Sequence, residues 1–538
     1  MQPALAKRGP FWGGLFCALL FVALGCVFVT YTGLQEDEGA FAAPLYRDWS
    51  FYSVRLFHRQ VPLMQMPYVG ALKTWLYAPL AHVAAPSPAF IRIPVILVGA
   101  ITILLFGALL DRVHGRRAAW TGCVLLSTDS IFLLTTTFDW GPVALQHLLL
   151  TAAMLFSVLW MQQGRNARLA AAGFACGLAF WDKAVFVWIF TGLLCGSLVF
   201  FRSIRKRLTA SAAATAITSL AIAALPLLIY NASSTPRFYT FRSNSEFEVQ
   251  NLGYKLDMLR RSWNGSGLFG YMVYESAASP GAPRNAVEKA GYAVHQYTGD
   301  RRTNLSGMAL IFAVLLMPFL WRGRTRSTLL LLVIATGIAW LCMALSGGGG
   351  SVHHAVLLWP LPHLFMAVAL AEASFHIRFG AWPLAAFVFF MGMANLAVTN
   401  QYLYQFVRNG PTPVWSNAIY GLAAAVREAR VNQVVSVDWG IDVPLSVLNQ
   451  DRPTVRIVAD PILAPDAPPA QKKSELQLLS DPKTIWVDHT TASEVSPGIH
   501  ERLVRAARSA GFDQQIMAIY SDRHGRPIFQ AFRFIPHR

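Results

Sequence analysis

The stretch Leu34-Gln35-Glu36-Asp37-Glu38-Gly39-Ala40-Phe41 sets three consecutive carboxylates directly after a long apolar run, Phe11 to Tyr31. If that run crosses a membrane, the acids sit at its rim, where apolar protein, headgroups and water meet. Carboxylates in such a place are partly desolvated, hold their protons more tightly and are poised as bases. The same triplet also fits a solvated helix start just past a membrane exit.

Composition favours the membrane. Of 538 residues, 54% are hydrophobic and 14% charged, with a mean hydropathy of +0.42. Apolar runs of spanning length recur from Phe11 to about Val398 and then stop. Lys7 and Arg8 precede the first run as they would in a signal peptide, but no clear small-x-small cleavage site follows. Gly25-Cys26 is a poor substitute that would cut the acids from their anchor, so the run reads as a retained helix.

The net charge of +17 and pI near 9.9 point to nucleic acid only until the charges are located. Most lie in short loops between apolar runs: 111–117, Arg165 with Arg168, 202–207, and Arg322 to Arg326. The alternate connections, 32–88 and 231–305, are long and polar. That is the positive-inside pattern, and it removes nucleic acid as a partner. It predicts eleven spans, at about 11–31, 89–110, 118–136, 143–161, 169–181, 184–201, 209–230, 306–321, 327–345, 354–372 and 381–398. The N-terminus falls in the cytoplasm and the long loops fall outside. A segment such as Phe51 to Phe57 reads as a piece lying in the interface plane. The six cysteines all fall within apolar runs, which gives neither a disulfide framework nor a metal cluster.

From about Asn400 the pattern changes. Residues 414–430 and 498–510 read as helices. Val434–Val437, Thr454–Val458, Thr484–Val487 and the segments near 515–520 and 528–534 read as strands, with a Pro-rich loop at 461–469. The chain therefore divides into a membrane domain, 1–399, and an α/β domain, 400–538, that lies outside by the parity of the spans. No internal repeat is visible.

Under this topology the notable charges gather at the outer ends of different helices. Glu36, Asp37 and Glu38 follow the first span, Lys73 lies in the first outer loop and Arg92 opens the second span. Asp139 ends the third, Asp182 and Lys183 join the fifth and sixth, and His353 and His354 precede the tenth. Singly, each reads as a snorkelling residue or a structural ion pair. Together, both signs of charge on one face suit a lipid-linked phosphate ester whose tail stays in the bilayer. A carboxylate takes the proton of an attacking hydroxyl while cations hold the departing phosphate. That leaving group needs no proton, so one base suffices.

These residues resemble a family. Asp37-Glu38-Gly39-Ala40-Phe41-Ala42 is similar to the acidic motif that opens the first outer loop of GT-C glycosyltransferases, in particular the protein O-mannosyltransferases and the lipid A aminoarabinose transferases. Ala71-Leu72-Lys73-Thr74-Trp75-Leu76-Tyr77 resembles the family's Lys-Pro-Pro-Leu-x-x-Trp segment without its two prolines. Phe90-Ile91-Arg92-Ile93-Pro94 resembles its Arg-Leu-Pro entry to the second helix. Phe138-Asp139-Trp140 falls where the family carries a second acid, and Phe180-Trp181-Asp182-Lys183 near its helix 5 lysine. His353 to Pro362 resembles its late Arg-Tyr-x-x-x-x-x-Pro helix, with histidines replacing the basic-aromatic pair. Ala40 stands where relatives often carry arginine.

The likeness runs in order over roughly residues 30–370. It implies a GT-C-like, α-helical polytopic membrane protein and an inverting transfer from a polyprenyl-phosphate sugar to a lipid, glycan or protein acceptor. By the resemblance, Asp37 is the catalytic base, Glu38 shapes the site and Asp139 is the second acid. Lys73 binds the donor phosphate, with Lys183, His353 and His354 as further candidates, and Arg92 is a structural ion pair. A paired acidic site is also of a kind that holds Mg²⁺ or Mn²⁺, though the sequence offers no complete ligand set. The expected location is the inner (plasma) membrane. Two other readings stay open: a transporter or flippase of a lipid-linked or anionic substrate, which would favour mid-membrane charges and repeated halves, and a membrane-anchored binding protein whose working part is the C-terminal domain.

Overall fold

The computed structural model describes residues 12–244, 247–320, 323–457 and 478–537. Lys7, Arg8, Arg322 and the Pro-rich stretch 461–469 lie outside the described residues.

Each of the eleven predicted runs is largely helical over its described residues. Among the described residues five helices are long and apolar enough to cross a membrane: Pro88–His114, Ala144–Gln163, Ala184–Arg207, Gly323–Ala344 and Ala381–Arg408. Three bent helix pairs among the described residues reach spanning length only when taken together: Arg116–Thr128 with Ser130–Phe138 (59°), Ala210–Ala223 with Leu225–Ser233 (66°), and Val352–Leu358 with Leu361–Ser374 (41°). Trp12–Phe28 and Ser306–Leu320 are shorter apolar helices, and Asn166–Asp182 fills the fifth predicted run.

Hydropathy reads each bent pair as one segment, because a break leaves the apolar run intact. The breaks have local causes. Pro226 and Pro362 stand in the first turns of the second halves. At the remaining break Asp129 caps the new helix, accepting from the Phe132 N–H at 2.8 Å. Asp129 Oδ2 lies 3.3 Å from Trp359 Nε1 and 3.4 Å from His363 Nε2, so two broken spans meet at their breaks.

Small residues let the spans approach closely. A Cβ on Gly192 would lie 2.2 Å from the Ala335 carbonyl oxygen, and one on Gly196 2.6 Å from that of Leu331. This spacing of four seats Ala184–Arg207 against Gly323–Ala344 by backbone contact.

The first long loop holds a three-stranded antiparallel sheet, β1 (Tyr52–Leu56), β2 (Arg59–Met66) and β3 (Val69–Gly70). The segment expected in the interface plane is thus largely a strand. Its apolar residues Tyr52, Val54 and Leu56 alternate with period two, which suits a pleated surface and not a helix.

The C-terminal domain carries a five-stranded mixed sheet of β4 (Gln433–Ser436), β5 (Thr454–Ile457), β6 (Thr484–His489), β7 (Phe512–Ser521) and β8 (Pro527–Pro536), in the order β5-β4-β6-β8-β7. β4 pairs in parallel with β5 and β6, while β8 is antiparallel to β6 and β7. Helices Ala418–Glu428 and Asp442–Leu448 pack on one face around Leu422, Val434, Leu445 and Ile485. Ile499–Ser509 packs on the other around Trp486, Leu503 and Phe532. The domain is anchored to the face of the long loops by backbone bonds. Gly33 N–H donates to the Trp415 carbonyl at 2.7 Å, Thr412 N–H to Met272 at 3.1 Å and Tyr274 N–H to Gly410 at 3.1 Å.

Candidate active site

The acidic triplet forms the short helix Glu36–Ala40. Gln35 caps it: its side-chain oxygen accepts from the Glu38 N–H at 3.0 Å, while Glu38 Oε2 faces the Gln35 N–H at 3.5 Å. Acids in a first helical turn also suit the helix dipole. The three carboxyls take different directions. Glu38 is sealed inside, where Arg92 grips it with Nε on Oε1 at 2.7 Å and Nη2 on Oε2 at 2.8 Å. The same guanidinium donates to the Val29, Thr32 and Gly33 carbonyls, tying the end of the first span to the start of the second. Glu36 is buried towards the C-terminal domain. Asp37 alone of the three keeps part of its surface open.

Burial raises the Asp37 carboxyl above its ordinary value, while a hydrogen bond from Gln35 and the positive charge of Lys183 pull it back. The Tyr68 and Tyr271 hydroxyls are pushed upward by burial and then by the Asp37 charge, which places both groups within its field. No motif or spacing singles out either tyrosine in the sequence.

Lys183 arrives between two helices and is fixed by its backbone. It forms a bridge with Val69, next to the Ala184 N–H bond to the Tyr68 carbonyl at 2.8 Å. Its Nζ donates to the Gly141 carbonyl at 2.7 Å. Asp139, just before that turn, adopts the left-handed conformation with φ 40°. Asp139 Oδ1 accepts from the Val143 and Ala144 N–H groups at 2.6 and 3.1 Å. Its Oδ2 lies 2.8 Å from Lys73 Nζ, which also donates to the Asp139 carbonyl at 2.7 Å and sits 4.3 Å from the Phe41 ring centre. Lys73 and Asp139 are both sealed from solvent, so each is the other's charge partner.

His353 packs against Gly141, where a Cβ would come within 2.4 Å of the ring, and edge-on to Trp140. The Ser351 hydroxyl lies 3.3 Å from His353 Nε2 and 2.9 Å from His354 Nδ1. Trp140, Tyr271 and Trp415 form a contiguous aromatic wall with centroid separations of 5.4 to 6.1 Å. The C-terminal segment thus contributes Trp415 to the site, a role the sequence does not announce. The structure brings together Asp37, Lys183 and the Trp140–Gly141 turn with His353; Lys183 is buried like the closed pairs Lys73–Asp139 and Arg92–Glu38, and of these residues Asp37 and His353 keep part of their surface exposed.

The donor set beside Asp37 does not fit a divalent cation. The Glu38 and Asp139 carboxylates are taken up by Arg92 and Lys73, and Glu36 faces Asp442. Among the described residues, metal-type ligand atoms gather at Asp438, Asp488 and His489, within 4.8 Å of one another. That group lies in the C-terminal domain and is already bonded. Asp438 accepts from His489 Nδ1 and the Trp439, Val495 and Ser496 N–H groups, and Asp488 from His500 and the His489 N–H.

Residues 67–230 match the model of the dolichyl-phosphate-mannose-protein mannosyltransferase family. No curated protein sequence matches the chain. Among solved structures the chain is similar to ArnT from Cupriavidus metallidurans bound to undecaprenyl phosphate, with a TM-score of 0.60 and 12% identity over 96% of this chain and 97% of that one. It is also similar to the Archaeoglobus fulgidus oligosaccharyltransferase in complex with Zn and sulfate, with a TM-score of 0.55 and 13% identity over 89% of this chain and 68% of that one. The chain is a multi-pass membrane protein with the fold of the GT-C glycosyltransferases.

Proposed function

We propose that the protein transfers a sugar from a polyprenyl-phosphate donor to an acceptor hydroxyl or amide at the outer face of the membrane, with Asp37 as the base. The observation that carries this reading is the division of labour within the triplet: Glu36 and Glu38 are locked into the protein, while Asp37 stays open and faces the cation of Lys183. In the transfer, the acceptor oxygen or nitrogen bonds to the anomeric carbon as the bond from that carbon to the phosphate oxygen breaks. The acceptor proton passes to Asp37 and polyprenyl phosphate leaves with the bonding electron pair. Attack opposite the leaving group inverts the anomeric centre.

Lys183, with His353 beside the same turn, meets the phosphate as charge builds on it. Lys73 acts from behind by holding Asp139, whose backbone turn presents Gly141 to Lys183. The similarity to ArnT bound to undecaprenyl phosphate supports a polyprenyl-phosphate donor. The charge pattern of the short loops supports an outer-face site with a cytoplasmic N-terminus. The acceptor is a glycolipid, a cell-envelope glycan or a protein.

The test is sugar transfer from a radiolabelled polyprenyl-phosphate donor by the purified full chain in nanodiscs, with an extract of envelope lipids, glycans and proteins as acceptor pool. Labelled product supports the reading and its mobility identifies the acceptor class. Donor binding or movement across the bilayer without transfer would favour the flippase alternative.

A further inference from the structure

Glu36 is not used by the transfer just described. Its side chain is buried, with 6% of the residue exposed, and it meets Asp442, 2% exposed, at the start of the C-terminal helix Asp442–Leu448. The two helices are packed tightly around this contact. A Cβ on Gly39 would lie 3.1 Å from Val443 Cγ1, and Leu34, Phe41, Val443 and Val447 share one apolar cluster. One cation faces the pair among the described residues: Arg47, 3.4 Å from Asp442 Oδ2, with a second bond to the Val455 carbonyl at 3.0 Å.

Glu36 Oε2 is buried without a hydrogen-bond donor, and among the described residues the one donor acting on this carboxyl is the Val443 N–H. Two carboxyl groups in contact form a hydrogen bond only if one of them keeps its proton. Two buried negative charges against one guanidinium would be strongly repulsive, whereas one proton makes the three groups neutral overall. Arg47 favours the charged form of Asp442, so the proton belongs to Glu36, which donates to Asp442.

We propose that Glu36 and Asp442 are a positioning pair for the transfer, a proton-sharing joint through which the C-terminal domain holds the acidic helix and sets the direction of Asp37. The joint rests on the proposed function for its kinetic readout only. Burial and the neighbouring Asp442 and Asp37 charges raise Glu36 well above its ordinary value, against a weaker opposing bond from the Val443 N–H. The other charged groups acting on the pair are Asp37 on the same helix and Arg47; Tyr46 and Tyr420 pack against the same apolar cluster, with the Tyr420 hydroxyl donating to the Thr32 carbonyl. Burial pushes both tyrosines upward, out of the working range. A carboxyl raised in the folded state adds stability that is complete below its ordinary value of 4.5 and is lost as pH rises through the folded value. The joint therefore weakens on the alkaline side.

The experiment follows hydrogen exchange of segments 34–43 and 440–449 and, separately, sugar transfer, for wild type, Glu36→Gln and Glu36→Ala in nanodiscs across about pH 6 to 9. Wild type is expected to lose protection in both segments together, and rate with it, as pH rises. Glu36→Gln keeps a donor to Asp442 that does not ionise. It should stay within about threefold of the wild-type rate at neutral pH and keep its protection at alkaline pH. Glu36→Ala should be unprotected and about tenfold or more slower throughout. An alkaline loss in Glu36→Gln equal to that of wild type, or wild-type behaviour of Glu36→Ala, would overturn the joint. Titrating protection without sugar transfer would sustain the joint and count against the proposed activity.

Discussion

Arg92 closes on both oxygens of Glu38 at 2.7 and 2.8 Å, with neither side chain exposed. The residue beside the proposed base is thereby fixed to the second span, and the guanidinium also collects the three carbonyls that end the first. Such a fork depends on the planar geometry of arginine, which lysine does not reproduce.

Arg92→Ala leaves a buried carboxylate without its counter-charge. The expected cost is about 3–5 kcal/mol, read as a lower unfolding temperature in detergent. Arg92→Lys keeps the charge but loses the fork, so it should fall between wild type and Arg92→Ala. Unchanged stability in both variants would show that the fork does not hold the loop.

Lys73 and Asp139 form a second sealed pair, with Nζ 2.8 Å from Oδ2. If their charges serve each other, Lys73→Met and Asp139→Asn should each destabilise the protein more than the double variant does, because each single change strands a buried charge. A coupling of about 1–3 kcal/mol is expected from the cycle of unfolding free energies. Additive losses would mean that the two residues act independently, and would return Lys73 to direct service on the donor phosphate.

The apolar helices were legible because apolar length is a local property of the sequence. The three breaks were not, since Asp129, Pro226 and Pro362 sit inside runs whose average hydropathy hides them. The strand Tyr52–Leu56 alternates with period two, but its pairing with β2 is set only by the fold. At the site, the motif residues could be named one by one. The separation of the part-exposed Asp37 from the closed pairs could not, because it depends on contacts across long separations, such as Lys73 with Asp139 and Glu36 with Asp442. Tyr68 and Tyr271 carry no motif at all, and only folding brings them to Asp37, as it brings Trp415 to Trp140 and Tyr271.

The charge of Lys183 lowers the proton affinity of Asp37 against the opposing effect of burial. With a raised carboxyl as base, the rate should fall as pH drops through the Asp37 value, because the protonated form cannot accept the acceptor's proton. Lys183→Met removes the lowering charge, so this acid limb should move to higher pH, with a maximal rate about a hundredfold lower from the lost phosphate partner. The pH dependence of kcat decides the matter, and a limb that stays in place would separate Lys183 from Asp37.

The most direct test of the central claim is sugar transfer by Asp37→Asn beside wild type, with donor affinity measured on the same nanodiscs. The amide is isosteric and keeps the helix cap, so the fold and donor binding should be retained. The rate should fall about 10²- to 10⁴-fold, the share of a general base. Full activity in Asp37→Asn would contradict the account, because no other acid of the triplet is free to take the proton.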